Sequence, residues 1–291
     1  MSIDKLHDRI RKLKSPVALE LTALQEALPP HLLQDEGTYA AASMRFCREL
    51  MAALKDTVCA LRFSFDHYAL MGSDGLKTLS QLLKDASQAG YYIVLDCPQI
   101  LSPASAEMAA QVLFGGSDYP CDALIVSPYI GSDALKPFLP YCADGGKSVF
   151  AVVRAANKSA SELQDLLSGS RQVHTAAADI INRLGEISYG KCGYSRVGAL
   201  ASAGTASSLK NLRSNYKRMY LFVDGMDYPS ANAKNCSAAF DRFGYGAVVC
   251  AGTSVTAAWK EAESDGTDYI EQAVQASERM KRNLTRYITI L

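Results

Sequence analysis

A carboxylate, Asp96, ends the run Tyr91-Tyr92-Ile93-Val94-Leu95 and is followed at once by Cys97 and Pro98. The run is mostly apolar and β-prone, and the proline breaks it. A carboxylate where a parallel strand hands over to its helix (here Ala104 to Phe114) is where an α/β barrel keeps its chemistry. Other strand ends carry charge as well: Glu20, Arg62, Arg154, Asp224 and, just beyond, Asp227. Arg62 and Arg154 could hold an anionic ligand, or pair with Asp96, Glu20 or Asp224. Acids at Glu20, Asp96, Asp224 and Asp227 would ring the mouth, which suits a cation or metal better than a phosphate. Asp96 is then either an acid catalyst or a carboxylate simply held by Arg62; the second is the preferred reading. Cys97 with His67 on the strand-two exit could form a thiol–imidazole pair, but a neighbouring carboxylate raises a thiol pKa and argues against it. Arg279, Lys281, Arg282 and Arg286 on the last helix read as a solvated face.

These groups need a scaffold, and the totals allow a full core. The chain has 291 residues, 48% hydrophobic, suiting one large domain or two smaller ones. Its 30 basic and 30 acidic side chains balance, so there is no electrostatic case for nucleic acid or an anionic membrane as partner. No apolar run approaches the roughly 18 residues of a membrane span. The opening Met1-Ser2-Ile3-Asp4-Lys5-Leu6-His7-Asp8-Arg9 carries acids and no apolar core, which reads against a signal peptide. The 8 cysteines show neither Cys-x-x-Cys nor Cys/His zinc spacing, so reduced thiols and a cytoplasmic location are expected. No dinucleotide fingerprint follows the first strand and no P-loop occurs. No cofactor and no metal are expected.

Periodicity predicts an amphipathic helix from Ile3 to Lys14, a strand Pro16 to Leu21, a loop at Pro29-Pro30 and a helix Tyr39 to Lys55. A rhythm follows: strand Val58 to Phe65, helix Gly75 to Ala89, strand Tyr91 to Asp96, helix Ala104 to Phe114, strand Ala123 to Ser127, helix Ser132 to Cys142, strand Ser148 to Arg154. Ser161 to Leu167 and Val173 to Ile187 read as helices. Strands Val197 to Ala201, Met219 to Asp224 and Ala247 to Cys250 come next, with helices Ala206 to Leu212 and Asn232 to Phe243 between them. A helix from Asp268 to about Ile288 closes the chain. Strand–helix alternation implies parallel strands with right-handed crossovers. Eight such units in one domain fit a (β/α)₈ TIM barrel, an α/β fold, better than an open sheet.

Several segments resemble the orotidine 5′-phosphate decarboxylase family, in its longer bacterial subgroup. Ser15-Pro16-Val17-Ala18-Leu19-Glu20-Leu21-Thr22 sits where that family has its Gly-Leu-Asp-Pro strand end. Leu61-Arg62-Phe63-Ser64-Phe65-Asp66-His67-Tyr68 with Gly72 and Gly75-Leu76 is similar to its Val-Lys-Phe-Asn…Phe-Tyr…Gly-Leu segment. Leu95-Asp96 begins the place of Asp-x-Lys-x-x-Asp. Cys121 to Gly131 with Pro137-Phe138 resembles Asp-Ala-…-Asn-Pro-Tyr-Leu-Gly…Pro-Phe. Val149 to Arg154 with Asn157 and Leu163 to Leu166, and Cys192 to Ala199, are likewise similar. The resemblance runs from about Ile3 to Trp259, without large gaps. It implies a barrel that dimerises through its strand ends, and a reaction that removes CO₂ from C6 of the pyrimidine and puts a proton there.

Measured against that pattern, the catalytic places hold the wrong residues. Asp96 keeps the first carboxylate, but Pro98 stands in the place of the proton-donating lysine and Leu101 in that of the second aspartate. No Lys or Arg occurs between Lys84 and Lys136, so slipping the register does not help. The phosphate-binding glutamine and arginine become Pro229 and Thr253, the ribose-binding aspartate Thr22, the loop serine Ala156 and the second lysine Arg62. Asp96 and Arg62 are thus the remnants of the catalytic network, with Glu20, Thr22, Ser127, Arg154, Asp224 and Thr253 as candidate ligand contacts at the mouth. A lost general acid costs roughly 10²–10⁴-fold, and one electrostatic donor about 3–4 kcal/mol. The expected protein is non-catalytic and binds a ligand or partner, as a homodimer through the C-terminal face of the barrel or a heterodimer with an active relative. The alternatives are a working decarboxylase of pyrimidine biosynthesis and an enzyme of changed chemistry at Arg62 and Asp96.

Overall fold

The computed structural model describes residues 2–22, 27–116, 118–144 and 146–291. Among them run the strands β1 (Val17–Glu20), β2 (Ala60–Ser64), β3 (Tyr92–Asp96), β4 (Ala123–Val126), β5 (Ser148–Val152), β6 (Leu167–Ser168), β7 (Arg171–Gln172), β8 (Val197–Ser202), β9 (Leu221–Asp224) and β10 (Ala247–Ala251). Eight of these close into a parallel barrel in the order β1-β10-β9-β8-β5-β4-β3-β2. The remaining two, β6 and β7, form a small antiparallel hairpin in the loop after β5. The barrel strands are buried on both faces, which is why they read as continuous apolar runs rather than alternating ones. This is a single-domain (β/α)₈ barrel, as the alternation predicts.

Parallel register carries the charged strand ends to one rim. Glu20 is the partner of Arg62 across β1 and β2, Ser64 that of Asp96 across β2 and β3, and Ser202 that of Asp224 across β8 and β9. Beyond Asp96, Cys97 still donates its N–H to Ile125 at 3.0 Å. A short link then reaches Ser102, which starts the helix Pro103–Phe114 with a capping box. The Ser102 hydroxyl accepts from the Ser105 N–H at 3.2 Å, the Ser105 hydroxyl accepts from the Ser102 N–H at 3.0 Å, and Pro103 needs no donor at that position.

Four expected elements differ. Ser132 to Cys142 is two 3₁₀ turns (Ser132–Ala134, Lys136–Phe138) and a short helix Leu139–Ala143, because Pro137 and Pro140 each remove a helical donor. Ser161 to Leu167 is no α-helix. A 3₁₀ turn Lys158–Glu162 leads into the hairpin, because the Gln164 and Asp165 side chains are drawn to Ala155 and Arg154. Asn232 to Phe243 shrinks to Ala233–Ser237, since Asp241 turns back to accept the N–H groups of Phe243 and Tyr245. Pro29-Pro30 is no plain loop: Pro30 opens a helix Pro30–Glu36 that ends at Gly37, φ 69°. The closing helix is Tyr269–Thr285, and Tyr269 stacks on Phe46 of the helix Tyr39–Ala53, ring centroids 5.3 Å apart. Among the described residues no helix is long and apolar enough to cross a membrane.

Candidate functional site

Three carboxylates from three strand ends converge on one guanidinium. Arg62 donates from Nε and Nη2 to Asp96 Oδ2 at 3.0 and 2.7 Å. Its Nη1 donates to Asp224 Oδ1 at 2.9 Å and stands 3.4 Å from Glu20 Oε2. The planar fork of arginine makes this possible; an ammonium offers no such fixed spread of donors. Arg62 is well buried, its side chain 13% exposed against 21%, 22% and 31% for Asp96, Asp224 and Glu20. One positive charge therefore serves three negative ones in a poorly solvated place. Burial pushes the Asp96 and Glu20 carboxyls above the usual range; Arg62 opposes this, and each acid is raised further by its neighbours. For Arg62 burial works the other way, yet the three carboxylates outweigh it and hold the guanidinium firmly protonated. Asp96 Oδ1 is buried with no hydrogen-bond partner.

Two cavities open beside this cluster, and Arg62 and Asp224 line both. The first, about 450 Å³, is bounded by Glu20, Thr22, Asp227, Tyr228 and Thr253. The second, about 470 Å³, sets Asp96, Ser127 and Tyr129 against an apolar wall that includes Leu101, Val152 and Leu200, with Pro98 at its edge. No lysine lines either, and Arg62 is their one cationic side chain among the described residues.

The sequence-predicted residues divide accordingly. Glu20, Thr22, Asp224 and Thr253 gather in the first cavity, and Asp96 and Ser127 in the second, with Arg62 between. Arg154 does not join them, nor does it pair with Asp96, Glu20 or Asp224. It is held by Asp165 through two parallel bonds, Nε to Oδ1 at 2.9 Å and Nη2 to Oδ2 at 2.8 Å. Asp165 lies in the segment Ser161 to Leu167, whose spacing predicts a helix rather than this loop. His174 Nδ1 lies 3.3 Å from the same carboxylate, which Arg154 holds below the usual range against the effect of burial. Burial, then Cys121, Asp66 and Asp96, push the Cys97 thiol up to about 12, which opposes its acting as a nucleophile. Among the described residues no group of three or more His, Cys, Asp or Glu is placed to hold a metal ion.

Asp227 has a function that residue type alone did not reveal. Its carboxylate accepts the backbone N–H groups of Gly252 (2.8 Å, Oδ2) and Ser254 (3.0 Å, Oδ1), joining the loop after β9 to the loop after β10. A Cβ at position 252 would lie 2.8 Å from Asp227 Oδ2, so any larger residue there must displace the carboxylate. Gly225 has φ 87°, and a Cβ there would lie 2.3 Å from the Cβ of Ala156 in the loop after β5.

A barrel of this order with charged groups at its strand ends is shared by many enzymes, and comparison with known proteins narrows it. No protein-family model matches the chain. An orotidine 5′-phosphate decarboxylase of Clostridium novyi is 27% identical over 285 residues, 98% of each chain. Over nearly its full length the chain is thus similar in sequence to orotidine 5′-phosphate decarboxylases. That of Rhodopirellula baltica is 27% identical over 259 residues, 84% of this chain and 86% of its own. Among solved structures, the OMP decarboxylase of Leishmania donovani superposes with a TM-score of 0.76 at 22% identity, covering 99% of both chains, which establishes the shared fold.

Proposed function

We propose that the chain is an orotidine 5′-phosphate decarboxylase-like barrel that no longer decarboxylates and serves as a non-catalytic binding or partner-interaction protein. The observation that carries this reading is the mouth itself: three carboxylates around one guanidinium, with no lysine among the described residues lining either cavity. Decarboxylation leaves a carbanion that must be protonated, and a general acid works best with a pKa near the operating pH. An arginine whose pKa lies well above its ordinary value is a poor donor. A substrate carrying a phosphate and a carboxylate would also add negative charge to a site already in excess. Pro98, in the lysine's place by resemblance, offers no proton and no N–H.

Around the same face Leu101, Leu163, Leu166 and Leu167 are exposed, each by more than half of its surface, and Ile130 by 39%. Large apolar side chains collected at one end of a barrel support association there, as a homodimer or as a heterodimer with an active relative. Light scattering on the purified chain, and co-purification of the two chains, distinguish these assemblies.

The deciding experiment is calorimetry with 6-hydroxyuridine 5′-phosphate, alongside an assay for CO₂ release from orotidine 5′-phosphate. Silence in both at millimolar ligand is the expected result. Tight binding with turnover would overturn the proposal in favour of a working decarboxylase, the reading that full-length similarity to the Clostridium novyi protein supports. Tight binding without turnover would keep the loss of catalysis and give the protein a nucleotide ligand.

A further inference from the structure

We propose that Asp227 is a built-in clasp: its carboxylate fixes the last two βα loops where barrels of this kind commonly hold a ligand's phosphate, so the first cavity keeps its shape without an anion. In (β/α)₈ barrels a phosphate is frequently bound by the loops after the seventh and eighth strands, beside a short extra helix. In this chain those strands are β9 and β10, and the short helix is Thr253–Thr256. The amides facing that place, Gly252 and Ser254, already donate to Asp227, one to each oxygen. The geometry is that of a carboxylate in a bidentate grip, with charge-assisted bonds that are stronger than neutral ones. Two glycines make it feasible. Gly252 has no Cβ to push the carboxylate away, and Gly225 lets the loop turn back at φ 87° with Ala156 against its α-carbon. The Asp227 loop also turns upon itself, Tyr228 N–H to Gly225 O at 3.2 Å and Ala231 N–H to Tyr228 O at 2.9 Å. Tyr228 and Arg62 both line the first cavity.

The clasp deepens the reading above and is separable from it, because the missing lysine stands whether or not the clasp does. Hydrogen exchange followed by mass spectrometry tests it on the whole chain. In the wild type, peptides covering 225–232 and 251–256 should exchange identically with and without millimolar inorganic phosphate. Asp227→Ala should speed exchange in both segments together by roughly 3- to 10-fold, the range for losing exposed hydrogen bonds of about 1 kcal/mol net each. Exchange in β2 and β3 should not change. Gly252→Ala should loosen the same two segments by displacing the carboxylate, and Asp227→Asn, which keeps one acceptor oxygen, should fall between. If Asp227→Ala does not fold, the asparagine and Gly252→Ala variants carry the test. Unchanged exchange in these variants would overturn the proposal. So would slower exchange of the wild-type loops on adding phosphate, since an external anion would then be doing what the clasp is said to do.

Discussion

Replacing Arg62 with methionine removes the one cation that Asp96, Asp224 and Glu20 share and leaves a side chain of similar length. The carboxylates lie within 2.7 to 3.4 Å of the guanidinium, and all are less than a third exposed. Removing one partner of a buried ion pair destabilises by about 3–5 kcal/mol, because the remaining charge is left uncompensated. At roughly 2 °C per kcal/mol for a chain of this size, the midpoint should fall by about 6–10 °C near neutral pH. The pH dependence gives the stricter test. Asp96 and Glu20 are raised on folding, so the folded chain binds their protons more tightly than the unfolded chain. Their destabilising effect is absent below the unfolded carboxyl pKa of about 4 and complete once pH passes the folded value. Without Arg62 both folded values climb further, and the window extends upward. The deficit of Arg62→Met should therefore be largest near pH 8 and shrink steadily toward about pH 5. Paired thermal melts of variant and wild type across that range read it directly. A variant within about 0.5 kcal/mol of wild type near pH 8, the level of an ordinary surface substitution, would refute the reasoning. So would a deficit that does not change with pH.

Other predictions follow from the same geometry. Asp165→Asn should cost about 1–2 kcal/mol near neutral pH by breaking the paired bonds to Arg154. Because Asp165 is depressed on folding, that contribution exists above the unfolded carboxyl pKa and is lost as pH falls through the folded value, so urea unfolding of variant and wild type should converge in acid. Cys97, half-buried and with its thiol pushed up to about 12, should react slowly with iodoacetamide in the native chain near pH 8 and faster once urea unfolds it; fast native labelling would contradict the raised thiol. Ser102→Ala breaks the capping box on Pro103–Phe114 and should cost about 1 kcal/mol in a denaturant titration.

The barrel was legible because parallel strands covered on both faces are continuous apolar runs, and each expected barrel strand occurs within one or two residues. Asp96, Glu20 and Asp224 were legible as site residues for a related reason: each is the charged residue that ends such a run. What escaped was set by side chains reaching across loops. Arg62 lies within β2 and Arg154 just past the end of β5, and Arg154 is taken by Asp165, on a segment whose helical spacing is overruled by the bonds of Gln164 and Asp165 to Ala155 and Arg154. Asp227 looked like a fourth acid in a ring, and only the approach of Gly252 turns it into a partner for backbone amides. Prolines 137 and 140 broke a helix whose apolar spacing alone would have passed.

The reach of Arg62 has a consequence for what can enter the mouth. Arg62 sits on β2, and its partner Asp224 on β9, with β1 and β10 between them around the barrel. Their bond is thus a beam across the opening rather than a link between neighbouring strands, and it divides the mouth into two rooms of about 450 and 470 Å³. A compact ligand can occupy one room and leave the beam in place. A long one that needs both must arch over it or break it, and breaking it takes from Asp224 its hydrogen bond to Arg62. For any ligand that spans both rooms, molecular length therefore matters as much as charge.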